Sequence, residues 1–289
     1  MKYLISALLS LSIFSTLKSQ IPDEKKKTII TGTHMGLFPA GYTGKINIPF
    51  FFDIFKNLKK NNFPISFVSS DSIYTQIFIN EPILVSIFYQ NIYLLPGDSV
   101  HIDFLYEQDD AKRTSRSTFL KVYSKLGFDG NIGYSNFIHE AEYLFQYASG
   151  NVRETDIQLK HFIDSNYADL LKRTQNYIST HKVSPDYKAI IFKNLLLDKF
   201  SVTMRLIPQD SAGTIQYLKE NLFLFPEAPI YTNSYYGAVG SIPAAFNRIY
   251  SKEPSKVLLV LKQNLDEENY TYASLIFANK ISRELPIQN

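Results

Sequence analysis

The chain has 289 residues, a formal net charge of +3, 45% hydrophobic residues and 20% charged residues. This composition predicts a folded protein of one large or two ordinary domains and excludes an intrinsically disordered chain. Cysteine is absent, which excludes disulfides, zinc sites with cysteine ligands, iron–sulfur clusters and thiol catalysis. We therefore expect no disulfide-reductase activity, and a stability that added dithiothreitol does not change.

Residues 1–19 have the pattern of a secretory signal peptide. Lys2 supplies a short positive region, and an apolar run follows over residues 3–17. This run is shorter than the roughly 20 residues that a membrane-spanning helix needs. Ser19 is a small residue suited to the cleavage site. We predict cleavage after it, export to the periplasm or cell surface, and no stable membrane insertion of the mature chain.

The mature chain is expected to carry little net charge. Loss of the signal peptide removes Lys2 and Lys18 and lowers the net charge to +1. Nucleic-acid phosphates are bound by clustered basic residues in excess, so we expect no nucleic-acid partner. The short basic run at residues 24–27 is assigned to a linker of residues 20–27.

Residues 28–108 are predicted to form an antiparallel β-sandwich. Short apolar or alternating segments recur along this range, among them residues 28–33, 72–79, 83–89 and 99–106. Turn-forming Gly, Asn, Asp and Pro residues separate the segments, and no helical period lies between them. The pattern is typical of a small all-β domain.

The clearest turn is formed by Pro96, Gly97 and Asp98. Proline fixes φ at the second position of a turn, and glycine at the third supplies the positive φ of a type II turn. We predict a hairpin here, in which Asp98 has a structural role. In the strand that follows, His101 and Asp103 fall on the polar face, and we interpret them as solvent-exposed residues.

Residues 112–285 are predicted to form a helical array, followed by a tail of residues 286–289. Apolar residues recur there at helical spacing. Ser184 with Pro185 is typical of a helix start, and so is Asp210 with Ser211. The predicted fold class is therefore α+β, with the sheet domain first and the helical domain second.

The sequence predicts no catalytic, cofactor-binding or metal site. The Gly-rich stretch at residues 32–45 lacks the spacing and the Ser or Thr of a phosphate-binding loop. His139-Glu140 lacks the second histidine of a zinc protease motif. One enzyme alternative stays open: Asp198 or Glu220, with a pKa raised by burial, would serve a carboxylate-dependent hydrolase or glycan-active enzyme.

Aromatic residues are abundant, with 20 tyrosines and 22 phenylalanines. Core packing is the favoured explanation. The alternative is a ligand surface, for which Tyr231, Tyr235 and Tyr236, beside Gly237 and Gly240, are the candidates. The partners considered for such a surface are an envelope protein, a peptide or a glycan.

The order of parts resembles a known family. A signal segment, a strand reading TIITGTHMG, a segment reading NIYLLPGDSVHIDF and then helices are similar to the N-terminal region of Bacteroidota TlpA-like thiol–disulfide oxidoreductases. The resemblance covers residues 1–285 in layout, and residues 94–104 carry it as a motif. It implies a β-sandwich and a helical segment of the kind that precede a thioredoxin domain in that family.

The family's redox activity does not transfer to this chain, because it depends on a Cys-x-x-Cys motif. The sequence therefore favours an exported, non-catalytic binding or scaffolding protein of the periplasm or cell surface. The alternative is the front half of a thiol–disulfide oxidoreductase separated from its thioredoxin domain. Both interpretations stay open at the level of sequence.

Overall fold

The structure is a computed structural model. It describes residues 25–35, 45–47, 62–64, 66–69, 72–87, 90–109, 114–134, 137, 156–206, 210–225, 233–250 and 253–284. The predicted signal peptide, residue Tyr231 and the predicted tail lie outside these residues. The described part begins with two sheets and continues with helices, which confirms the predicted α+β class.

Nine strands are described in the first part of the chain. They are β1 (Lys26–Met35), β2 (Lys45–Asn47), β3 (Asn62–Pro64), β4 (Ser66–Ser69), β5 (Ser72–Ile79), β6 (Ile83–Ile87), β7 (Gln90–Leu94), β8 (Ser99–Asp109) and β9 (Thr114–Ser124). One sheet has the order β4-β5-β1-β8-β9, and the other has the order β3-β2-β6-β7. The first strand begins inside the range that was assigned to the linker.

The two sheets contribute to one apolar cluster. Buried side chains from the first sheet, such as Ile30 and Ile102, join buried side chains from the second, such as Val85 and Ile92. In β5 the burial alternates along the strand, so one face points into this cluster and the other points outward. A shared core of this kind is the arrangement that a sandwich requires.

β1 is a central strand of the five-stranded sheet and has neighbours of opposite direction. It pairs antiparallel with β5 and parallel with β8. The prediction of an antiparallel sheet is therefore wrong for the β1–β8 pair. Parallel neighbours need a long crossover, and about 70 positions separate the paired residues Ile29 and Ser99.

The predicted hairpin at Pro96, Gly97 and Asp98 is a corner between the two sheets. β7 belongs to the four-stranded sheet, whereas β8 belongs to the five-stranded sheet. Gly97 has a φ of 83°, and the N–H of Asp98 donates to the carbonyl oxygen of Leu95 at 3.2 Å. The residues thus form a tight turn, but the strands on its two sides do not pair with each other.

The sheets extend beyond the predicted limit of residue 108. β9 pairs antiparallel with β8 and lies in the range for which helices were expected. Phe119 in this strand is buried in the shared core, while Leu120 and Tyr123 are exposed. The register between β8 and β9 shifts between Asp103 and Phe104, so Phe119 and Val122 both pack against the core although they are three positions apart. This bulge interrupts the apolar alternation of the strand.

Six longer helices are described after the sheets. They are α1 (Asp156–Thr180), α2 (Pro185–Leu206), α3 (Ser211–Asn221), α4 (Asn233–Ile249), α5 (Pro254–Asn264) and α6 (Glu267–Glu284), with a 3₁₀ turn at Leu222–Leu224. Two predicted helix starts fall where the sequence placed them. Pro185 is the first residue of α2, and the Asp210 side chain accepts a hydrogen bond from the N–H of Gly213 at 2.7 Å, which caps α3.

A short helical segment at residues 130–134 links the sheets to the helices. Asn131 donates to the Ser184 hydroxyl at 3.0 Å and accepts from the Ser184 N–H at 2.8 Å. Nearby, Tyr93 of β7 stacks on Tyr187 of α2, with ring centroids 4.7 Å apart. Asn131 and Ser184 thus satisfy each other's buried polar groups across this junction, which fixes the start of α2 against the sheets.

Candidate functional site

The most chemically distinctive surface is the outward side of the five-stranded sheet. The strand register places two rows of side chains there, each crossing β5, β1, β8 and β9. The first row contains Tyr74, Thr31, His101 and Tyr123, and the second contains Ser72, Thr33, Asp103 and Lys121. We call these eight residues the outer face.

His101 is held in a fixed orientation at the centre of the outer face. Its Nδ1 lies 2.9 Å from the Thr31 hydroxyl, and its Nε2 lies 3.0 Å from Oδ1 of Asp103. A carboxylate only accepts hydrogen bonds, so Nε2 carries the proton and donates to Asp103. Nδ1 faces the Thr31 hydroxyl, which also lies 3.3 Å from the carbonyl oxygen of Val100. Both ring nitrogens therefore have a partner within the sheet.

Asp103 is held from a second side. The Thr33 hydroxyl donates to the same Oδ1 atom, and this hydrogen bond, supported by the neighbouring His101, lowers the pKa of Asp103 below its usual value. The side chains of His101 and Asp103 are 40% and 23% exposed. The carboxylate stays charged and within reach of a ligand from solvent.

The order Thr31–His101–Asp103 is that of a nucleophile, a base and an orienting carboxylate. Acyl transfer also needs donors that bind the developing oxyanion. β1 lies between β5 and β8, so its backbone N–H groups are used in the two ladders. The outer face thus orients an imidazole and a carboxylate, and the ladder N–H groups of β1 are already engaged beside Thr31.

Asp98 has a structural role in the turn. It is 3% exposed, and its carboxylate accepts from the Ser124 hydroxyl at 2.6 Å, the Ser99 N–H at 2.7 Å and the Leu126 N–H at 3.1 Å. The same turn also contacts β1, since the N–H of Gly97 donates to the Thr28 hydroxyl at 3.1 Å. Asp98 therefore ties the corner to the end of β9.

The tyrosines proposed as a ligand surface do not act together. Tyr235 is buried at 3% exposure and donates its hydroxyl proton to Asn269 at 2.7 Å, and burial raises its pKa. Its interpretation as a surface residue is wrong, because it packs between Phe225 and Tyr272. Tyr236 is 38% exposed, and Tyr231 lies outside the described residues.

The two carboxylates considered for a hydrolase lie in different environments. Asp198 is buried and accepts from the Ser234 hydroxyl at 3.0 Å across the α2–α4 contact. Glu220 is exposed on α3 and accepts from Gln216 at 2.9 Å. The structure does not bring them together as an acid and base pair. Across the described ranges, no group of three or more potential metal-binding side chains is found.

The network around His101 was missed by sequence reasoning. The alternation in β8 places His101 and Asp103 on one face, but their hydroxyl partners are 70 positions away in the chain. Only the parallel pairing of β1 with β8 brings them together. The signal available in the sequence was that Thr31 and Thr33 alternate with buried residues. This alternation does not show which strand pairs with β1 or in which register.

Comparisons with protein-family models and with curated proteins found no match to this chain. Within the part of the chain that the structure describes, no helix has both the length and the apolar composition needed to cross a bilayer.

Proposed function

We propose that the chain is an exported, non-catalytic binding protein of the periplasm or cell surface, and that its outer face binds an envelope glycan. The observation that carries this proposal is the hydrogen-bonded group of Thr31, His101 and Asp103, which lies between the strands of Tyr74 and Tyr123 on the outward side of the sheet. Because these polar side chains are already held in place, they lose little conformational entropy when a ligand binds.

The chemistry of the outer face favours a sugar. Sugars present many hydroxyl groups together with apolar C–H faces. Tyr74 and Tyr123 stand three strand spacings apart, which is about 14 Å, and Tyr123 is 54% exposed. An oligosaccharide of a few rings would reach from one tyrosine to the other and place hydroxyl groups on His101 and Asp103.

The exported location is supported by the sequence. Residues 1–19 have the charge and length of a signal peptide, and the layout resembles the accessory region of exported oxidoreductases. Both features are expected of a protein that meets envelope polymers. Mass spectrometry of the protein from a periplasmic fraction would test this, with Gln20 expected as the first residue and an uncut cytoplasmic chain as the contrary result.

Co-sedimentation with insoluble envelope polysaccharide and with peptidoglycan tests the binding face. We expect the wild-type chain to pellet, and Tyr123→Ala and His101→Ala to weaken binding by at least about tenfold. Tyr236→Ala is the matched control, since it removes an exposed tyrosine from α4. Equal binding by Tyr123→Ala and the control, or no pelleting of the wild type with any polymer, would contradict the proposal.

A further inference from the structure

A separate cavity lies in the helical half, away from the outer face. Its volume is about 190 Å³, and its walls come from α1, α2, α3 and the 3₁₀ turn. The floor is apolar and consists of the buried side chains of Ile163, Phe200 and Leu224. A cavity of about 150 Å³ with such a lining accepts a benzene ring, so this one has room for a single ring and a small substituent.

The inner wall of the cavity is polar but satisfied. Tyr217 stacks on Phe200, with centroids 5.6 Å apart and planes 8° from parallel, and its hydroxyl forms a hydrogen bond with Thr203. Burial raises the pKa of Tyr217, so the phenol remains neutral. This wall therefore carries no charge that a ligand would have to match.

The mouth of the cavity carries charge and an exposed ring. Asp164 pairs with Lys199 at 2.7 Å, and Lys160 lies one helical turn before Asp164. Among the residues that line the cavity, two lysines and one aspartate carry charge, so one lysine remains beyond the ion pair. The Glu220 carboxylate, which is not among the lining residues, acts on Tyr217 from α3. Phe223 stands beside them at 66% exposure, and exposed aromatic rings of this size are typical of contact sites.

We propose that this cavity binds a small apolar monocarboxylate, with one ring or a branched chain on the apolar floor. Its carboxylate lies at the mouth, where Lys160 and Lys199 supply complementary charge. Contact with the apolar floor removes part of the ligand's apolar body from water, and the lysines select an anion over a cation of the same shape. The site is independent of the outer face and of its ligand.

Three probes of one shape test the proposal: benzoate, benzyl alcohol and benzylamine, titrated into the full chain by NMR. We expect benzoate to shift the ring signals of Tyr217 and Phe223 with a millimolar Kd, and benzylamine to bind at least about fivefold more weakly. Lys160→Glu should remove this preference. Lys172→Glu is the control, because it reverses an exposed charge on the same helix outside the cavity.

A second variant tests occupancy without changing charge. Thr203→Met extends an unbranched side chain into the cavity and should abolish shifts by all three probes. The proposal is overturned if no probe shifts the signals of cavity residues, or if benzylamine binds as well as benzoate. It is also overturned if Lys160→Glu and Lys172→Glu bind benzoate equally, which remains decisive should Thr203→Met fail to fold.

Discussion

The sheet half has side-chain hydrogen bonds between residues up to 70 positions apart, whereas those of the helical half are mostly local, with longer ones of 34 to 44 positions between helices. In the sheets, Thr28 bonds the carbonyl of Leu95 across 67 positions, and Ser124 bonds Asp98 across 26. In the helices, many side chains bond a carbonyl one turn away, as Asn166 does to Phe162. Removing a polar side chain should therefore disrupt several elements in the sheets but a smaller region in the helices.

Asp98→Ala should give the largest effect. It leaves the Ser124 hydroxyl and the N–H groups of Ser99 and Leu126 without their acceptor, and each lost bond to a charged group is costly when buried. We expect a loss of about 3 kcal/mol in the free energy of unfolding, measured by urea denaturation. Asp103→Ala, which removes a partly exposed carboxylate from the same sheet, should cost less than about 1 kcal/mol.

Gly130→Ala tests the junction between the halves. An added Cβ would lie 2.6 Å from Cγ2 of Val183 and 2.8 Å from the carbonyl oxygen of Lys182, and the backbone atom cannot easily move. We expect a loss of about 2 kcal/mol. The control is Gly240→Ala in α4, whose Cβ would meet only side-chain atoms of Ile276, the nearest at 3.5 Å. That variant should be neutral or more stable by up to about 1 kcal/mol. Equal melting temperatures for the two variants would contradict the prediction.

Tyr235→Phe probes the helical half with a single-atom change. It removes the hydrogen bond to Asn269, whose N–H and side-chain amide donate to Asp266 at the start of α6. Because the site is buried, we expect a loss of about 1 kcal/mol, read as a lower melting temperature. Tyr236→Phe, at a partly exposed neighbour, should change stability less. If Tyr236→Phe lowered the melting temperature more than Tyr235→Phe, Tyr236 rather than Tyr235 would be the buried residue of α4.

The smallest effect concerns the pH dependence of Asp103. Its folded-state pKa lies below the unfolded value of about 3.9, so the charged form favours folding. This contribution is fully present above the unfolded pKa and disappears as the pH falls through the folded pKa. Thr33→Val should move the NMR titration midpoint of Asp103 upward. If the titration midpoint of Asp103 were unchanged in Thr33→Val, the hydrogen bond from Thr33 would not be the cause of the lowered pKa.

Local chemistry predicted some elements well. Pro185 and Asp210 mark the starts of α2 and α3 because capping depends on a few adjacent residues. The turn at Gly97 was readable for the same reason. The corner geometry could not be predicted, since no residue near Asp98 reveals which sheet each neighbouring strand joins.

Other elements depend on distant packing. The predicted helical array includes the range of α4, but the sequence marked no separate helix there, because Gly237, Gly240 and Pro243 weaken a helical pattern. Its buried face is nevertheless part of the largest apolar cluster, through residues such as Ile242 and Phe246. The outer face was missed for a related reason: strand alternation gives the face of His101 but no partner strand.

The central position of β1 has a consequence for the order of assembly. β1 comes first among the described strands, yet its two neighbours, β5 and β8, are made later. Met35 meets its partner only at Leu105, so the sheet cannot close until about 80 residues have followed the start of β1. A nascent chain that stops earlier exposes one unpaired edge of β1. Folding of this half therefore waits for β8, and chaperones that hold an emerging chain would act before that point.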